Sequence, residues 1–191
     1  MVMAGYGTAA VASWALLSRF EMLSLVVILS LTMSMPPMIG RFIGEGNLES
    51  IDRLVKSDTI FILALQTGFA FLFILLAKPL SALMSSDSHV QELLITFFKF
   101  VPFCYGPLGV CMLIVSVSNA VGQPKVALWL SIIRLFVLYL PAIWIGAEFA
   151  QVQGMYISIF IANTLTGVVA WHLYKKCMET ISGTLNPIAL S

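Results

Sequence analysis

The sequence predicts an all-α membrane protein with five transmembrane helices. Of its 191 residues, 60% are hydrophobic and only 10% are charged, whereas soluble domains carry about 25% charged residues. Mean hydropathy is +0.99. Apolar runs matching the roughly 20 residues that cross a bilayer recur along the chain, separated by short stretches of glycine, proline and charge that suit turns at the membrane surface.

The formal net charge of +1 leaves no basic excess for holding nucleic acid, so the lipid bilayer is the expected partner. Cys104 and Cys111 are separated by about 10 Å of helix rise, too far for a disulfide or a shared metal ion, and read as apolar packing residues. No Ser/His/Asp arrangement, HExxH pair, CxxC motif or glycine-rich phosphate loop occurs at a recognisable spacing. Neither an enzyme, a metal site nor a cofactor is therefore expected. The start carries no basic leader or cleavage site, and it reads as a cut.

The first predicted span covers residues 8–39, with Arg19 and Glu21 near its middle and Pro36-Pro37 near its far end. Those prolines and Gly40, Gly44 and Gly46 weaken a helix and permit an exit turn. Asn47 is a good N-cap and Glu49 and Asp52 suit a helix N-terminus, so residues 48–57 read as a short interfacial helix. Residues 59–77 form the second span, ended by Lys78-Pro79. Ser88-x-x-Gln91 has capping-box spacing ahead of the third span, residues 93–118. Its first half holds Lys99, Pro102, Gly106, Pro107 and Gly109, which predicts a broken helix with hinges at Pro102, Gly106 and Pro107.

Gly122 suits a left-handed helix end and Pro124 the first turn of a new helix, giving a tight hairpin into the fourth span, residues 126–146. Pro141 removes a donor inside that span and predicts a bend. The fifth span covers residues 155–174, and residues 178–191 read as a tail after a membrane unit of residues 1–177. Arg41, Arg53, Lys56, Lys125, Lys175 and Lys176 fall on one side of this topology against Lys78 on the other, which predicts a cytoplasmic C-terminus.

The candidate site residues are the charges inside spans and the irregular backbone beside them. Arg134 interrupts an apolar run in which an unpaired arginine costs roughly 2.5–3.5 kcal/mol, so it must find a partner, water or the interface. Glu21 either lines a proton, cation or substrate path or forms a structural ion pair with another helix; Arg19, two residues away, points elsewhere on the helix. Lys99 either meets an anion or snorkels to the span end. Tyr105 either lines a cavity or packs. His172 reads as interfacial, and Gly40-x-x-x-Gly44 as a helix-packing motif of little weight.

Three stretches carry a resemblance to a known family: ASWALLSRFEML at residues 12–23, with its Arg-x-Glu; PMIGRFIGEGNLESIDRLV at residues 37–55; and the hairpin NAVGQPKVALWLSIIRLFVLYLP at residues 119–141. Together they resemble the C-terminal half of MATE (multidrug and toxic compound extrusion) transporters. Arg41 and Glu45 stand where that loop more often has Gln and Ala. The resemblance implies helices eight to twelve of a twelve-helix, two-lobed transporter in the inner (plasma) membrane, lacking the N-terminal lobe and the first helix of its own lobe.

It further implies a secondary antiporter, or a fragment of one, exporting small organic cations and amphipathic drugs in exchange for Na+ or H+. Family members coordinate the coupling ion with acidic residues in the lobes. One such C-lobe acid lies on the missing helix and no Asp or Glu occurs between Leu93 and Ala147, so the resemblance implies that coupling rests on the absent N-terminal lobe, with Glu21 the only acid here well inside a span. A lipid-linked oligosaccharide flippase of the same superfamily and a non-transporting membrane scaffold or remnant are the alternatives.

Overall fold

The computed structural model describes residues 8–185. The outermost residues of the expected membrane unit and tail lie outside that range. Among the described residues the chain is helical throughout, without strands, and five helices are long and apolar enough to cross a membrane.

Helix α1, Thr8–Gly44, continues through Pro36 and Pro37 rather than ending near residue 39. Met35 and Ile39 beside the prolines are fully buried, and this packed face holds the helix in register where two backbone donors are missing. Arg41 Nε donates to Glu45 Oε1 at 2.8 Å, an exposed pair across the end of the helix. A turn through Gly46, at φ +67°, leads to Asn47, whose Oδ1 accepts from Ser50 N.

Helix α2 then runs unbroken from Leu48 to Met84. The expected interfacial helix and second span are one element, because Ile51 and Val55 bury the same face that Thr59 and Ile62 continue. Helix α3, Ser88–Phe100, is capped by Asp87, whose carboxylate accepts from His89 N, while Gln91 Nε2 donates to the Ser85 carbonyl. The predicted Ser88 capping box is thus replaced by a cap one residue earlier.

The expected break in the third span is real. A 3-10 turn, Val101–Cys104, separates α3 from α4, Tyr105–Ala120. Gly122, at φ +78°, and Pro124 form the predicted hairpin into α5, Pro124–Ile132. A π-helical segment, Ile133–Tyr139, follows, in which Leu140 N–H donates to the Leu135 carbonyl five residues back. The distortion expected at Pro141 therefore falls in the turns before it, where the proline ring displaces the preceding carbonyls.

Helix α6, Leu140–Leu185, is 46 residues long and would measure about 69 Å if straight. It reverses instead. A methyl group on Gly146 would meet the Gly154 carbonyl oxygen at 2.5 Å and collide with Ser158 Oγ. Two spans result, Pro124–Phe149 and Gly154–Ile181, as expected, and residues 178–185 of the predicted tail extend the last helix.

Helix α4 lies at the centre, packed by α1, α2, α5 and α6. Gly109 permits the closest approach: a methyl there would sit 2.7 Å from Ile28 Cδ1 and 2.8 Å from Ile62 Cγ2. Two side chains tie neighbours to α1 through its carbonyls, Gln66 Nε2 to Ser24 at 2.8 Å and Ser116 Oγ to Thr32 at 2.7 Å. An aromatic cluster of Phe20, Phe73, Phe97, Phe98 and Tyr156 fills the end where α3 meets the 3-10 turn. A methyl at Gly40 or Gly44, by contrast, would meet nothing within 4 Å among the described residues, so their spacing marks no helix contact there.

Gly146→Ala should therefore destabilise the detergent-solubilised full-length protein by about 1–3 kcal/mol through overpacking against backbone. Gly40→Ala should be neutral or stabilising by up to about 1 kcal/mol. Thermal unfolding of both variants at matched lipid content checks the pair.

Candidate functional site

A cavity of about 290 Å³ lies where α1, the start of α4, the π segment and the second limb of α6 converge. Its polar residues are Glu21, Tyr105, Arg134, Tyr139 and Asn163, and its apolar wall includes Leu25, Phe97, Leu108 and Ile159. Each polar group is delivered by an irregularity or by helix rotation. The 3-10 turn ends with Tyr105 N–H donating to the Pro102 carbonyl, which sets Tyr105 at the head of α4. The π segment carries both Arg134 and Tyr139. The α6 reversal brings Asn163 to the cavity that Tyr139 also lines.

Glu21 is half-buried. The ion pairs among the described residues join Arg41 to Glu45, Arg53 to Glu49 and Lys56 to Asp52, all exposed pairs within one helix or at its end. Neither Glu21 nor Arg134 belongs to one, so the structural ion pair considered for Glu21 is not formed among these residues. The Tyr105 hydroxyl is buried and has no hydrogen-bond partner among the described residues. Asn163 Nδ2 donates to Cys104 Sγ at 3.4 Å, an interior contact that agrees with the packing role expected of this cysteine.

Three of the sequence-derived candidates, Glu21, Tyr105 and Arg134, thus share one cavity. Arg19 and Lys99 do not line it; both side chains are exposed. Arg19 is turned away because residues two apart on a helix differ by about 200°, and Phe20 between them enters the aromatic cluster. Pro102, Gly106 and Pro107 sit behind the cavity, where Gly106 lies against Leu63 and Pro107 against Gly167. Pro141 is exposed beyond the π segment. Tyr139 and Asn163 were not anticipated, although Asn163 is a lone amide in an apolar stretch.

Chemically, the cavity offers one carboxylate, one guanidinium, two phenols and an amide within apolar walls. No group of three or more metal-ligating side chains occurs among the described residues. The carboxylate with phenol and amide oxygens in the same lining can take a proton or a monovalent cation, and the Arg134 guanidinium in that lining adds a positive charge that works against the cation.

The MatE family's sequence profile matches residues 1–145, three quarters of the chain. The chain belongs to the MatE family. It is also similar to the Vibrio cholerae MATE transporter VcmN in its bent form, with 44% identity and a TM-score of 0.89 over 94% of this chain and 41% of that one. A FAD transporter of Shewanella oneidensis is 30% identical over 175 residues, 92% of this chain and 39% of that protein. An outward-facing multidrug resistance MATE transporter shares the fold at a TM-score of 0.87, with 18% identity. The chain spans about two fifths of the length of these relatives. It is thus a multispanning membrane protein of a transporter family, with helices corresponding to part of a larger bundle.

A half-buried carboxylate inside a membrane span with no ion-pair partner among the described residues carries a desolvation cost. Glu21→Gln should raise the stability of the solubilised full-length protein by about 1–2 kcal/mol. A structural ion-pair role would produce the opposite, a lower unfolding temperature.

Proposed function

We propose that this chain forms most of the C-terminal lobe of a secondary antiporter that exports cationic or amphipathic organic compounds in exchange for Na+ or H+. The observation that carries the proposal is the Glu21 carboxylate, which belongs to no ion pair among the described residues and lines a cavity of mixed polar and apolar character in a MatE fold. In this reading Glu21 takes the coupling proton or monovalent cation, and Tyr105, Tyr139 and Asn163 supply neutral oxygens beside it. Phe97, Leu25 and Ile159 form the apolar wall against which an amphipathic compound rests. No bond is made or broken, so the protein acts without enzymatic chemistry.

The remaining transporter segments, an N-terminal lobe and a further helix, are the partners the reading requires. The Asn47 and Gly122 turns lie at one end of the bundle with Arg53, Lys56, Lys125, Lys175 and Lys176, which favours a cytoplasmic position for that end in the inner membrane. A second cargo, a flavin nucleotide, is favoured by the similarity to the Shewanella FAD transporter.

The π segment supplies a mechanical element. Straightening it to an α-helix would re-register Arg134 and Tyr139 relative to α4, since each residue turns an α-helix by about 100°. Pro141 opposes that straightening. Pro141→Ala should slow dye export by the full-length protein in cells at matched expression, and an unchanged initial rate would contradict the hinge role.

Proteoliposomes holding the full-length transporter test the coupling. Ethidium export should follow an imposed pH or Na+ gradient, and Glu21→Gln should abolish the gradient dependence while the protein remains folded. Export by Glu21→Gln that still follows the gradient at the parental rate would place coupling elsewhere.

A further inference from the structure

Arg134 also lines a second cavity, of about 430 Å³, toward the bundle end that carries the Asn119–Gly122 hairpin. Arg134, Leu135 and Met112 line both cavities. The polar residues of the second are Thr32, Ser116, Asn119 and Ser131, and their hydrogen bonds decide what it can hold. Ser116 Oγ donates to the Thr32 carbonyl at 2.7 Å, Thr32 Oγ1 to the Leu29 carbonyl at 2.8 Å and Ser131 Oγ to the Ala127 carbonyl at 2.9 Å. Each of these hydroxyl protons is already committed to backbone.

The donors left for a guest are the Arg134 guanidinium and the Asn119 amide, and no carboxylate lines the cavity. Arg134 forms no ion pair among the described residues. Its side-chain neighbour is the Cys111 thiol, a weak acceptor. A cation entering here would meet like charge with nothing to neutralise it. A carboxylate or phosphate would meet a planar fork of donors suited to charge-assisted, bidentate hydrogen bonds.

We propose that the second cavity is an anion subsite in which Arg134, seconded by Asn119, binds a phosphate or carboxylate group of an organic cargo. The inference rests on the transporter reading and extends its cargo from cations to compounds that carry an anionic group. The two cavities then divide the charges, with Glu21 serving the coupling ion and Arg134 the anionic end of the cargo.

Riboflavin, FMN and FAD share one ring system and differ in phosphate, so they isolate the proposed contact. In proteoliposomes of the full-length protein, FMN and FAD should be transported in preference to riboflavin, and Arg134→Gln should remove that preference, with Arg134→Lys retaining part of it. FMN binding to the solubilised protein, followed by flavin fluorescence anisotropy, should weaken about tenfold or more in Arg134→Gln, as expected for loss of a charge-assisted contact. Asn119→Ala should weaken it less. A parent that moves ethidium but neither binds nor moves a phosphorylated flavin overturns the subsite and leaves the antiporter reading standing. A parent that moves no compound but binds FMN through Arg134 overturns the antiporter reading and supports the subsite. Arg134→Gln with unaltered FMN affinity, or with riboflavin and FMN weakened equally, overturns the proposal.

Discussion

The bundle depends on how closely α1 and α2 approach α4 at Gly109. Any side chain larger than hydrogen there would meet Ile28 from α1 and Ile62 from α2. That contact fixes the three helices as one unit, and the hydrogen bonds of Gln66 to the Ser24 carbonyl and Ser116 to the Thr32 carbonyl lock it at two heights. In a bilayer, where lipid tails are as apolar as leucine, close van der Waals packing and interhelical hydrogen bonds supply much of the association. The site is built where this packing gives way, because the 3-10 turn before α4 and the π segment after α5 leave space that the α4 seam does not.

Irregular backbone at membrane depth is tolerated where protein or a water-filled space covers it. Both irregular segments face the same region: Tyr105 follows the 3-10 turn, Arg134 and Tyr139 lie in the π segment, and all three line one cavity. The charges follow the same logic. Glu21 and Arg134 are half-buried, line a cavity and stand outside the ion pairs formed among the described residues, so neither charge is neutralised by one of those pairs. Lys99, Arg19 and the hairpin lysine Lys125 are exposed and need no such explanation.

Much of this architecture was legible in the residues. Five apolar runs, the Gly122-Pro124 hairpin and the Asn47 cap are local signals, and local chemistry decided them. The broken third span was equally readable, because Pro102 and Pro107 act within a turn of themselves. What escaped was set at a distance. Residues 48–57 look interfacial by charge, yet a buried stripe of Ile51, Val55, Thr59 and Ile62 joins them to the next span. Pro36 and Pro37 looked terminal, yet Met35 and Ile39 pack on both sides of them. Of the site, Glu21, Tyr105 and Arg134 stood out as polar groups in apolar runs, but which of Arg19 and Glu21 faces inward depends on the rotation of α1 about its axis. Tyr139 and Asn163 needed the α6 reversal to line one cavity, and composition carries no trace of that fold-back.

The central claim is that the region around Glu21, Tyr139 and Arg134 is open to water and solutes within an otherwise packed bundle. The most direct measurement places Tyr139→Cys in a full-length protein whose Cys104, Cys111 and Cys177 have been replaced, and follows labelling by a membrane-impermeant thiol reagent. Tyr139→Cys should react, and a transported compound should protect it, while Phe98→Cys in the aromatic cluster should stay unlabelled. An unreactive Tyr139→Cys beside a reactive Phe98→Cys would contradict the claim and move the solute path to another face of the bundle.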